Sequence, residues 1–229
     1  TQALIGNGST LDAAGSIGVN VNDTATITSN VIAAAVAVSA SSGSVSGALS
    51  VSVSLAENTI TGSSRASIDN SSVTATGASS DVTVSALAKN EIDAVAAAAS
   101  VSVAASTSVS LGISGAGAWA RNVTTNSVEA SIVDSNLADT TDTLVDADGS
   151  VAVMAVDSSS ITALLVSASV SVAVGSSGAI SVGFALALSE NEIGGTTVAT
   201  ISDSQIIAGG NVSVMANDGG VRDLSSGAW

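Results

Sequence analysis

Along most of this chain, residues with large apolar side chains alternate with small ones. Val166, Val170, Val172, Val174, Ile180, Val182, Phe184, Leu186 and Leu188 are spaced by Ser, Ala or Gly, with an interruption at Gly175-Ser176-Ser177-Gly178. A period of two is the mark of β-strands, whose successive side chains point to opposite faces. The interruption reads as a corner or turn. The alternation is less clean in the preceding unit, where Ala96 to Ala99 blur it before Val101, Val103, Val109, Leu111 and Ile113 restore it. Large residues on one face and small ones on the other predict a sheet that packs a modest core on one side. The small-residue side is expected to be a flat outer surface open to close approach. Strands of about ten residues, extending ~33 Å, are anticipated.

The pattern repeats on a longer scale. Glu57 to Val73, Arg121 to Leu137 and Glu190 to Ile206 align without gaps, so that Asn58, Asn122 and Asn191 coincide, as do Ile68, Ile132 and Ile201. Each block is followed by a short alternating strand, Asp81 to Ala88, Ser150 to Asp157 and Asn211 to Asp218, and Ser9 to Asp23 superposes on Ser204 to Asp218. The equivalent asparagines are 64 and then 69 residues apart. The expected organisation is the end of a preceding repeat at 1–23, repeats at 24–88, 89–157 and 158–218, and the start of a following one at 219–229. The extra residues of the second repeat are expected as a loop near 139–149.

Three stretches, Thr24 to Ala56, Ala94 to Ala120 and Ser158 to Ser189, carry no charge, and each exceeds the ~20 residues of a membrane helix. Their apolar residues alternate with Ser and are rich in β-branched Val, which favours strands. No Lys/Arg asymmetry or aromatic belt marks their ends, and the aromatic girdles of a membrane barrel are absent. No membrane span is therefore expected. What remains is an all-β chain, a parallel β-helix or β-solenoid built from repeats of about 65 residues, in which each coil pairs with those above and below. Asn58, Asn122 and Asn191 are expected to stack as a ladder at a corner. Whether one repeat makes a single wide coil or three ordinary ones is left open by the pattern.

Composition narrows the chemistry. Five residue types, Ser, Ala, Val, Gly and Thr, supply 158 of the 229 residues, and Pro, Cys, His and Tyr are absent. Without His and Cys, the usual zinc sites, Cys and Ser-His nucleophiles and disulfides cannot be built. Four Lys and Arg against 19 Asp and Glu, a net charge of -15, exclude a nucleic-acid footprint. Arg65, Lys89, Arg121 and Arg222 are scattered, and with few aromatics they do not suggest a carbohydrate-active site.

The run SVSVAVGSSGAISVGFALALSENEI, followed by TTVATISDSQI and GGNVSVMAND, resembles the repeats of giant bacterial surface exoproteins, the filamentous-haemagglutinin-like and leukotoxin-like repeat proteins. The resemblance covers nearly the whole chain. It implies a β-helical fold, export to the cell surface and an adhesive, matrix or filament role outside the cell, and it carries over no catalytic residues.

The expected function is thus a structural or adhesive repeat module that self-associates through β-stacking, with no enzyme activity. The alternatives are a β-helical carbohydrate-active enzyme or a calcium-dependent surface-binding solenoid. The expected partners are copies of itself or neighbouring repeats and cell-surface or matrix polysaccharide. No cofactor is expected; calcium is the one candidate, because Asp146 and Asp148 in Val145-Asp146-Ala147-Asp148-Gly149 begin a calcium-loop pattern whose remaining ligands are missing. Asp23, Asp134, Asp203 and Asp218 are read as strand ends and solvated corners. Trp119, aligned with Leu55 and Leu188, is read as packing on the apolar face.

Overall fold

Proline would delete a hydrogen bond from any sheet ladder, and the chain has none. Its alternating segments accordingly run on as strands far longer than ten residues. In the computed structural model, which describes residues 1–135 and 144–219, the short strands β1 (Gln2–Ile5) and β2 (Thr10–Ala13) lead into β3 (Ile17–Ser41) and β4 (Val45–Asp69), each of 25 residues. After the short β5 (Ser72–Ala75) come two more 25-residue strands, β6 (Val82–Ser106) and β7 (Val109–Val133). Then follow β8 (Val145–Ala147), β9 (Val151–Asp157), β10 (Ser160–Gly175), the 25-residue β11 (Gly178–Ser202), β12 (Ile206–Ala208) and β13 (Val212–Asp218).

These strands form three parallel sheets of a β-solenoid. One holds β1, β4, β7 and β11; the second holds β3, β6, β9, β10 and β13; the third holds the short strands β2, β5, β8 and β12. Each repeat is one wide coil. β3 runs out ~80 Å, β4 returns beneath it, β5 crosses the short third side, and β6 begins again in register with β3, Ile17 against Val82. The same level recurs as Val82 against Val151 and Val151 against Val212, so the amino-terminal segment takes its place in the scheme. The added residues of the second repeat are localised by register: Ile68 pairs with Ile132, but Val73 pairs with Val145. Residues 139–143 of the expected loop lie outside the described residues, and its Val145–Ala147 portion is strand β8.

Corners are made by a column of left-handed residues: Asn7 (φ 63°), Asn70 (φ 42°), Asp134 (φ 52°) and Asp203 (φ 47°). Asn and Asp tolerate this backbone better than other residues with a Cβ. Asp134 and Asp203 therefore occupy the corner role expected of them, and Asp218 ends β13. Asp23 does not: it lies within β3, turned inward, and accepts a hydrogen bond from Ser64 Oγ at 3.2 Å. Opposite the corner, the coil closes in hairpin-like tips at 42–44, 107–108 and 176–177. Gly175 is required at its tip, since a Cβ there would lie 2.3 Å from Gly178 O and 2.7 Å from Ser108 O.

The conventional core sits at the three-sided end. Val73, Val82, Val84, Ile68, Ile132, Val145, Val151 and Val153 are fully enclosed between the three sheets. Each such side chain contributes on the order of 1.5–3 kcal/mol by leaving water. This cluster fixes which face of every long strand points inward, because a strand without a bulge keeps its alternation from end to end. In β6 the even residues Val82, Val84, Ala86 and Ala88 face in, and the same parity carries Ala94, Ala96, Ala98, Ser100, Ser102 and Ala104 inward along the thin part of the coil.

Candidate functional site

The thin part of the coil is a two-layered blade with its small residues inside. Ser50 Oγ donates to Ala35 O at 3.0 Å, Ser54 Oγ to Val31 O at 3.1 Å and Ser167 Oγ to Ala116 O at 2.9 Å, all from one sheet to the other. Ser114 Oγ and Ser169 Oγ are 2.6 Å apart. A side chain as short as serine reaches the opposing backbone only if the sheets lie well inside the ~10 Å of ordinary sheet stacking. Glycine is needed where they meet most closely: a Cβ on Gly112 would sit 2.9 Å from Ser171 Oγ and 3.0 Å from Val172 O.

The large residues consequently face outward, which reverses the orientation expected from the sequence. On the β4/β7/β11 sheet the outer columns are Gly47/Leu111/Ile180, Leu49/Ile113/Val182, Val51/Gly115/Phe184, Val53/Gly117/Leu186 and Leu55/Trp119/Leu188. On the other sheet they include Ile32/Ala97/Val166, Val36/Val101/Val170 and Val38/Val103/Val172. Ile32 and Val36 are 76% and 72% exposed in an end coil, and Leu111 is still 41% exposed with a coil on either side of it. Trp119 has the register expected with Leu55 and Leu188, but it lies half-buried on this outer surface. The small-residue faces, expected to bring neighbouring solenoids together, instead meet each other inside one solenoid.

The apolar field ends abruptly toward the three-sided end. On one face the next outward position after Trp119 is Arg121, which reaches Glu57 at 3.3 Å and Glu190 at 3.7 Å. On the other, Asp93 follows Val95 toward the base. At the opposite end the tips carry Ser42, Gly43, Ser44, Thr107, Ser108, Ser176 and Ser177 and no charge. Two of their hydroxyls are internally engaged, Thr107 Oγ1 with Gly43 O at 2.9 Å and Ser176 Oγ with Thr107 O.

Between blade and core lies a buried polar network. The expected ladder forms: Asn58 Nδ2 donates to Asn122 Oδ1 at 2.8 Å, and Asn122 Nδ2 to Asn191 Oδ1 at 2.8 Å. It does not stand at a corner. All three residues are inward-facing positions in the middle of β4, β7 and β11, and the left-handed corner belongs to Asn70, Asp134 and Asp203. Across the interior, Asn90 Nδ2 donates to Asn126 Oδ1 at 2.7 Å, and Asn126 Nδ2 donates to Ser159 Oγ at 2.8 Å and Asp157 Oδ2 at 3.2 Å. Asp157 also accepts from Ser159 N at 3.0 Å, a local bond that competes with the ladder and separates β9 from β10.

Asp146 and Asp148 lie in and just after β8 on the short side. Asp148 Oδ2 accepts the Gly77 N–H at 2.7 Å. Among the described residues no three Asp or Glu carboxylates group around them or elsewhere in a way that could hold a metal ion. Arg222 lies outside the described residues, and Arg65 pairs with Glu129 at 3.5 Å.

The remaining surface feature is the backbone itself. Among the described strands, β1, β2, β3 and the Val45–Ser64 part of β4 lack a neighbour on one side of the stack, as do β10, β11, β12 and β13 on the other. Compared with known protein families, curated proteins and solved structures, the chain matches none.

Proposed function

We propose that the chain is a structural and adhesive repeat module of an extracellular bacterial filament, matrix or giant surface protein, growing by coil-on-coil pairing. The observation that carries the reading is the pair of open edges. Each presents about fifty residues of unpaired strand in the same geometry as the paired ones, and such edges template further strands. The side-chain columns favour the same continuation. An Asn amide donates on one side of the ladder and accepts on the other, so both of its ends accept another copy. The abundance of carboxylates, with few positive charges, keeps such a rod soluble. The resemblance to giant surface exoproteins agrees with an extracellular location.

Fibre diffraction and sedimentation test the proposal. Stacked modules give a meridional spacing of about 4.8 Å and an average mass that rises with concentration. A chain that stays monomeric when concentrated, with no such spacing, would overturn it.

A further inference from the structure

We infer that the blade is a bilayer-inserting element, whose two apolar faces are covered together by lipid hydrocarbon. The inference rests on the coil-stacking reading, because hydrocarbon does not tolerate unpaired strand edges and stacking is what closes them. Neither the helical span nor the closed barrel weighed from the sequence describes this shape. Among the described residues no helix is long and apolar enough to cross a membrane, and here strands would enter as a two-layered plate.

Four observations converge on lipid. The outer face of β7 is uncharged from Val109 to Trp119, ten steps or ~33 Å, against a hydrocarbon thickness of ~30 Å. The opposite face, from Val95 to Ala105 on β6, has the same length and ends at the same level, with Asp93 beside Arg121's row. Trp119 stands at that boundary, directly before Arg121, where an amphipathic ring meets headgroups. Inside the blade most of the buried serine hydroxyls have partners, Ser50, Ser54, Ser114 and Ser167 among them, with Ser52 Oγ the exception, so immersion strips water from few unsatisfied groups. The uncharged tip would reach the far headgroups.

A second copy on one face is the competing occupant. Lipid covers both faces at once.

The experiment uses the full chain with Trp229→Phe, leaving Trp119 as the only indole, and phosphatidylcholine vesicles carrying spin labels at shallow or deep acyl positions. Insertion predicts a blue shift of Trp119 emission with quenching by the shallow label. In a Trp119→Phe, Phe184→Trp variant, the reporter lies near mid-blade and the deep label should quench it instead. Val101→Lys and Ile113→Lys, on opposite outer faces, should each weaken vesicle partitioning by at least about 30-fold while leaving the β-sheet circular dichroism intact. Adding phosphatidylglycerol should weaken partitioning, because the base is acidic. Uniform quenching by both labels, or wild-type partitioning of the lysine variants, would overturn the inference. Concentration-dependent stacking without vesicle binding would overturn it and leave the filament reading standing; loss of the 4.8 Å spacing would strike the filament reading itself.

Discussion

The side-chain amide of Asn58 donates to Asn122 at 2.8 Å inside the coil, and Asn122, wholly removed from solvent, passes the same bond on to Asn191. Asn122→Ala would leave an amide hydrogen on Asn58 and a carbonyl on Asn191 without partners. Each buried orphan costs about 1–3 kcal/mol. A urea titration should show a loss of roughly 2–4 kcal/mol, with Asn122→Asp worse because it adds a buried charge.

Two glycines on opposite faces of β7 separate the close-packed interior from the open exterior. Gly112 faces the other sheet, and its Cβ would meet Ser171 and Val172; Gly117 faces outward with nothing within 4 Å. Gly112→Val should destabilise by about 1–3 kcal/mol through overpacking. Gly117→Ala should be neutral or stabilise by up to about 1 kcal/mol, since it removes unfolded-state freedom. Thermal melts of the two variants check the sign.

The direction of each strand face can be read by charge insertion. Ala116→Lys places an ammonium between the two sheets, where the native residue is 3% exposed, and should abolish the folded blade, seen as lost protection of blade amides in hydrogen exchange. Leu111→Lys, on the outer face of the same strand, should leave that protection unchanged. Equal effects would mean that the inside and outside of the blade have been interchanged.

At the corner, Asn70 holds φ at 42°. Asn70→Val forces a β-branched residue into a left-handed conformation and should lower stability by about 1–2 kcal/mol, whereas Asn70→Gly should change it by only a few tenths. The difference between the two melting curves isolates backbone strain from loss of the side chain.

The sequence by itself determined that the chain is a repetitive all-β solenoid. Period-two alternation needs only local sterics, and the coincidence of Asn58, Asn122 and Asn191 needs only equal spacing along the chain. It also held a clue to the blade's orientation: Lys89, Glu91 and Asp93 share the parity of Val95, Val101 and Val103. Three charged side chains in succession on one face are far cheaper facing water than enclosed, so in an unbroken strand those valines face outward with them. What only the tertiary structure decided was that the strand is unbroken. Twenty-five residues without a bulge let the Val and Ile core at one end dictate the face of every residue to the tip, against the hydrophobic preference of the blade itself. The coil width and the place of the ladder in mid-strand follow from that same continuity. Alternation counts residues within a run, but it does not reveal where one run becomes the next or which neighbour fixes its phase.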